Sequence, residues 1–98
     1  MEIILLEQAQ KDREYWKKSG NKAIMNRITA LLKDIMEHPY TGMGKPEALK
    51  YDLAGKWSRR INSEHRLIYS VNEDIITVYV FSMRYHYSKK QYGASLIK

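Results

Sequence analysis

Residues 57–81, WSRRINSEHRLIYSVNEDIITVYVF, decide the fold. Apolar and polar residues alternate over 57–61, 65–71 and 75–81, the period of strands with two unlike faces. Asn62-Ser63-Glu64 and Asn72-Glu73-Asp74 lie between them, short polar clusters of the kind that turn a hairpin. The stretch therefore reads as an antiparallel meander. In its middle strand Arg66, Ile68 and Ser70 point to one face and Leu67, Tyr69 and Val71 to the other, because successive side chains alternate. One of those faces must meet an apolar layer.

That layer lies upstream. Ile24, Ile28, Leu31, Leu32, Ile35 and Met36 recur at the spacing of an amphipathic helix, with Asn21 as its N-cap and Pro39 ending it. Before it, residues 8–18 predict a first helix stopped by Ser19-Gly20-Asn21, with Tyr15 and Trp16 placed to pack it antiparallel to the second. Residues 3–6 predict a short buried strand. The order β-α-α-β-β-β defines an α+β fold, a helical hairpin packed on one face of a twisted, mainly antiparallel sheet.

At 98 residues the chain is one domain with one core. It has no cysteine, which excludes disulfides and thiolate metal sites and suits a reducing compartment. His38, His65 and His86 show no metal-ligand spacing, and no cofactor is implied. The apolar run at the N-terminus is too brief for a secretion signal or a membrane span, so a soluble cytoplasmic protein is expected. Seventeen Lys and Arg against eleven Asp and Glu give a formal charge of +6, which favours polyanionic partners. Lys56, Arg59, Arg60, His65, Arg66, Arg84, Lys89 and Lys90 crowd the second half; a solvated basic sheet edge would carry the same charges.

Residues 39–55 hold both prolines and three of the five glycines, and they read as an ordered, irregular loop. Loops of that length in a compact domain usually carry function. This one contains Lys45-Pro46-Glu47. Taken with Glu64-His65-Arg66-Leu67-Ile68-Tyr69 and Tyr85-His86-Tyr87, it supplies a carboxylate, a guanidinium, an imidazole and a phenol. Cleavage of RNA by its own 2′-hydroxyl, without a metal, needs that set. Each residue also has a structural reading: Glu47 paired with Lys50 on a turn of helix, Arg66 paired with Glu64, His86 on an exposed edge strand.

Four segments in order, residues 44–50, 55–61, 64–69 and 84–87, make the chain resemble the YoeB toxins of the wider RelE/ParE superfamily. The resemblance implies a RelE-like, microbial-ribonuclease-like fold over residues 1–87. It also implies a ribosome-dependent messenger-RNA interferase of a bacterial type II toxin-antitoxin system, an endoribonuclease that cuts the codon in the ribosomal A site, on the small subunit. Glu47 is then expected as general base, Arg66 as the phosphate-binding group, His86 as general acid and Tyr87 as a substrate-orienting residue. Lys50, Arg59, Arg60, Glu64 and Tyr85 are expected to bind RNA or support the site; which of Arg59 and Arg60 faces it stays open. The implied partners are a YefM-type antitoxin, the ribosome with messenger RNA, and operator DNA only as the toxin-antitoxin complex; a homodimer stays open. The alternative is a non-catalytic RNA-binding member, or a toxin of this fold aimed at another target such as gyrase. Residues 88–98 extend beyond the segment where many relatives end. They are expected to be mobile without a partner, with Lys89 and Lys90 adding phosphate contacts.

Overall fold

The computed structural model describes residues 2–75 and 77–84. Strand β1 (Glu2–Leu5) leads into helices α1 (Glu7–Ser19) and α2 (Lys22–Glu37). The two-residue strand β2 (Glu47–Ala48), a 3-10 turn (Tyr51–Leu53), β3 (Trp57–Arg60), β4 (Arg66–Asn72) and β5 (Thr77–Ser82) follow.

The second helix forms as its pattern dictates. The Asn21 side chain accepts from the Ile24 amide at 3.1 Å, and Ile24, Ile28, Leu31 and Ile35 are buried along one stripe. The first helix has a poorer stripe, Ala9, Asp12 and Trp16, and is held by polar groups instead. Asp12 accepts from the backbone N–H of Met83 at 2.9 Å, and the Trp16 indole N–H donates to the Met83 carbonyl at 2.9 Å. Trp16 thus does more than join the two helices: it fastens α1 to the end of β5, and the His65 ring packs edge-on against it. At Gly20, φ of +70° places the residue in the left-handed region, and its N–H closes α1 on the Lys17 carbonyl.

The five strands are ordered β1-β5-β4-β3-β2. Among the described residues only β1 and β5 pair in parallel, because the helical hairpin carries the chain across the sheet; the remaining pairs are antiparallel. The meander expected from residues 57–81 is present as β3-β4-β5. The loop expected at 39–55 is less irregular than its composition predicts, since Glu47 and Ala48 add a strand at the edge beyond β3. Two residues leave no periodicity to read.

Each face of the sheet has its own core. On the helix side Leu31, Ile35, Leu67, Tyr69, Val78 and Val80 cluster with Trp16 and Ile28. On the other side Leu49 and Leu53 from the loop cover Ile68, with Phe81 packed beside them. The β4–β5 register shifts between Ile68 and Tyr69, where Ile68 pairs Ser82 and Tyr69 pairs Val80. Phe81 is the extra residue of this bulge, and it packs against the smaller core.

Candidate active site

The small core fixes the loop that carries Glu47. Leu49 and Leu53 seat on Ile68, the Leu49 N–H donates to the Lys56 carbonyl at 2.9 Å, and the Lys56 N–H donates to the Leu53 carbonyl at 2.9 Å. Glu47 pairs with Ser58, Ser58 with Ile68, and Arg60 with Arg66. Directly opposed residues share a face, so Glu47, Arg60 and Arg66 all stand on the side away from the helices. Glu47 is exposed, Arg60 is exposed and Arg66 is half-buried. Ordinary sheet spacing puts the Glu47 and Arg66 Cα positions about 12 Å apart, two strands across and two residues along.

Arg59, the neighbour of Arg60, points the other way and is 0% exposed. All five guanidinium N–H groups find acceptors. Nε donates to the Tyr69 hydroxyl; Nη1 donates to the Asp34 carboxylate and the Met43 carbonyl; Nη2 donates to the carbonyls of His38 and Thr41. The Tyr69 hydroxyl in turn donates to the Pro39 carbonyl at 2.6 Å. The Met43 amide and then Arg59 hold the Asp34 carboxyl below its usual range, while burial pushes the Tyr69 phenol up. The expectation that Arg59 binds RNA is therefore corrected: it closes the 38–43 loop from within, and Arg60 is the arginine on the open face. Gly42 belongs to the same device. A Cβ there would fall 2.2 Å from the Asp34 carboxylate, and φ is +110°.

Arg66 Nη1 donates to the carbonyls of Asn62 at 2.8 Å and His65 at 3.1 Å, which orients the guanidinium over the 62–65 turn. The Asn62 side chain shapes that turn by accepting from the amides of Glu64 and His65. Glu64 is exposed, with its carboxylate 3.6 Å from His65 Nε2. Lys50 is exposed at the start of the 3-10 turn. Glu47 lies on a strand, so the alternative that paired it with Lys50 on a helical turn is replaced.

Tyr85, His86, Tyr87, Lys89 and Lys90 lie outside the described residues, as does the whole of 88–98. The chain just before them is anchored: Met83 is held by Asp12 and Trp16, and the Arg84 guanidinium lies 3.4 Å from the centre of the Tyr15 ring. Sequence reading passed over one prominent residue of this face. Tyr51 is 71% exposed at the head of the 3-10 turn, with φ of +59°. Its signal was available, an aromatic between Lys50 and Lys56 next to the Glu47 segment.

A two-layer α+β domain with a basic open sheet face, a carboxylate on the edge strand and opposed arginines on the same face is the class of the RelE-like toxins. Residues 5–87 match the family model of YoeB-like toxins of bacterial type II toxin-antitoxin systems. Toxin YoeB of Escherichia coli strain K12 is 44% identical over 87 residues, which cover 89% of this chain and 100% of that protein. Among solved structures, a YoeB/ParE toxin from Agrobacterium tumefaciens superposes with a TM-score of 0.85 at 36% identity, covering 89% of this chain and 100% of the other. A heterotetrameric YoeB-YefM toxin-antitoxin complex from Staphylococcus aureus gives 0.78 at 40% identity, over 89% and 98%. The chain belongs to the YoeB family, as a toxin of a bacterial type II toxin-antitoxin system.

Proposed function

We propose that this toxin is a ribosome-dependent endoribonuclease that cuts messenger RNA in the A site through Glu47, Arg66 and His86. The observation that carries the reading is the direct opposition of Arg60 and Arg66 across β3 and β4, on the same face as Glu47. Like charges directly opposite one another destabilise a sheet. A polyanion lying across them reverses the sign of that cost, and RNA is the polyanion whose chemistry also uses a nearby carboxylate.

In this mechanism Glu47 accepts the proton of the 2′-hydroxyl as its oxygen attacks the adjacent phosphorus. The 2′-O–P bond forms, the P–O5′ bond breaks, and His86 gives its proton to the departing 5′-oxygen. A 2′,3′-cyclic phosphate and a 5′-hydroxyl result. Arg66 donates to the non-bridging oxygens, where charge builds in the transition state, and Tyr87 orients the nucleotide. Arg60, Lys50, Glu64 and Tyr85 position the strand. The chain runs only two residues from Arg84 to His86, a reach of about 7 Å, so the anchored end of β5 limits where the acid can stand. Lys89 and Lys90 add phosphate contacts from the 88–98 extension.

The proposed inhibitor is a YefM-type antitoxin, as in the Staphylococcus aureus complex, offering an acidic segment with apolar anchors to the basic face. The test is primer-extension mapping of messenger RNA in a purified translation system, with and without ribosomes. Cuts confined to the A-site codon, lost in folded Glu47→Ala, Arg66→Ala and His86→Ala variants, are expected. Intact messenger RNA in an otherwise active system would move the protein to the binding-only or differently targeted class.

A further inference from the structure

We infer that Tyr51 is a base-stacking residue, a platform on which one nucleobase of the cleaved RNA rests; this deepens the ribonuclease reading and depends on it. Three observations converge on the residue.

The first is placement. Leu49 and Leu53 pack on Ile68 beside Phe81, so the 3-10 turn between them lies over the open face of the sheet, the face of Glu47, Arg60 and Arg66. The turn is anchored by its leucines and by hydrogen bonds from Leu53 to Lys50 and from Ala54 to Tyr51. An aromatic presented on it stands on a rigid mount.

The second is exposure. Tyr51 is 71% exposed, above Ile75 at 59% and Tyr15 at 43% among the large hydrophobic side chains described. An exposed aromatic by itself is ordinary, but this one is preceded by Lys50 and followed within the same loop by Lys56, whose ammonium sits 4.6 Å above the Phe81 ring. Cations interleaved with an outward aromatic are how proteins hold single-stranded nucleic acid, one contacting phosphate while the other takes the base.

The third is backbone conformation. Lys45 and Tyr51 are the two non-glycine residues with positive φ among the described residues, at +52° and +59°. They bracket Glu47 on either side. The left-handed region is disfavoured for a bulky side chain, and such outliers gather at binding sites. Tyrosine has none of the local backbone hydrogen bonding that lets asparagine tolerate this region. A bulky ring is held where glycine would sit without strain.

That conformation also provides the discriminating experiment. In Tyr51→Gly the ring is lost while the backbone becomes more comfortable, so stability and function are expected to move in opposite directions. Cleavage of A-site codons on programmed ribosomes is followed at limiting toxin for wild type, Tyr51→Gly, Tyr51→Ala and Tyr51→Phe, alongside thermal midpoints. Loss of one base–aromatic stack predicts a decrease of about 5-fold to 150-fold for the glycine and alanine variants. Tyr51→Phe recovers most of it, and the midpoint of Tyr51→Gly is no lower than wild type. A 2-aminopurine in the codon reports the stack directly: its fluorescence is quenched by the Glu47→Ala toxin and stays bright with Glu47→Ala, Tyr51→Gly. Wild-type cutting by Tyr51→Gly, or quenching that persists without the ring, overturns the assignment while leaving the ribonuclease reading intact. A wild-type toxin that cuts no A-site codon overturns both.

Discussion

Arg59 and Arg60 are adjacent on β3, yet they meet opposite environments. Arg59 enters the helix-covered face, loses all contact with water and gives its five donors to Asp34, Tyr69 and three loop carbonyls. Arg60 emerges on the open face directly across from Arg66. The contrast teaches that charge in this molecule has two uses, separated by one step of the strand. One side has its charges matched internally and acts as a fastener; the other sets Arg60 directly opposite Arg66 on the open face. The same division holds for carboxylates: Asp34 and Asp12 are hydrogen-bonded to backbone amides, whereas Glu47 is exposed on an edge strand.

The largest expected effect tests the open face. Glu47→Ala and Arg66→Ala should each lower A-site cleavage by about a hundredfold to ten-thousandfold, the usual worth of a positioned proton-transfer or charge-stabilising group. The unfolding free energy of Glu47→Ala should stay within about 0.5 kcal/mol of wild type, as for a surface substitution, whereas Arg66→Ala should lose about 1–2 kcal/mol with its hydrogen bonds to the 62–65 turn. A comparable loss of stability would break the division of labour.

Next comes the closed face. Arg59→Met removes the cation from a buried pair and strands Asp34 and the loop carbonyls, so urea denaturation should show a loss of about 3–5 kcal/mol. Arg60→Met should show almost none. Acid titration sharpens the point. The Asp34 carboxyl is held below its ordinary 3.8 by the Met43 amide and by Arg59. A folded value below the unfolded one means a contribution present above that ordinary value and lost as pH falls through the folded value. Asp34→Asn should therefore weaken the protein at neutral pH but flatten its stability curve below about pH 4.

A smaller effect is expected where α1 meets β5. Asp12→Ala leaves the buried Met83 amide without its acceptor, at about 1–3 kcal/mol, and hydrogen exchange at Met83 should accelerate. If the anchored strand end also places His86, cleavage falls further than stability alone explains. The smallest effect concerns Tyr40, whose hydroxyl donates to Glu73 at 2.6 Å and is pushed up to about 12 by that bond. Here the folded value lies above the ordinary 10, so the contribution is complete below 10 and disappears as pH rises toward 12. Tyr40→Phe should cost below about 1 kcal/mol, and only on the acid side of that window.

Much of the architecture was legible because it rests on period. The Asn21 cap, the alternation of β4 and most of the α2 stripe are local patterns that appear in the structure where the spacing puts them; at the end of that stripe Leu32 is half-buried and Met36 is exposed. Glu47 and Arg66, singled out from two separate segments, stand on one face of one sheet. Other features had no local signature. Strand β2 is two residues long, and its existence depends on β3 lying alongside. The buried role of Arg59 depends on Asp34 and Tyr69, 25 and 10 residues away in sequence. The clamp of Asp12 and Trp16 on Met83 joins groups 71 and 67 residues apart.

By itself, the sequence determined the element types, the α+β class and the set of chemical groups, since all three are written in residue identity and short-range spacing. Tertiary structure alone decided which of two adjacent arginines is a fastener and which stands on the open face. The strand period places their side chains on opposite faces, but only the packing of α2 against one face determines which side is dry. A guanidinium on the dry side must find its acceptors within the protein.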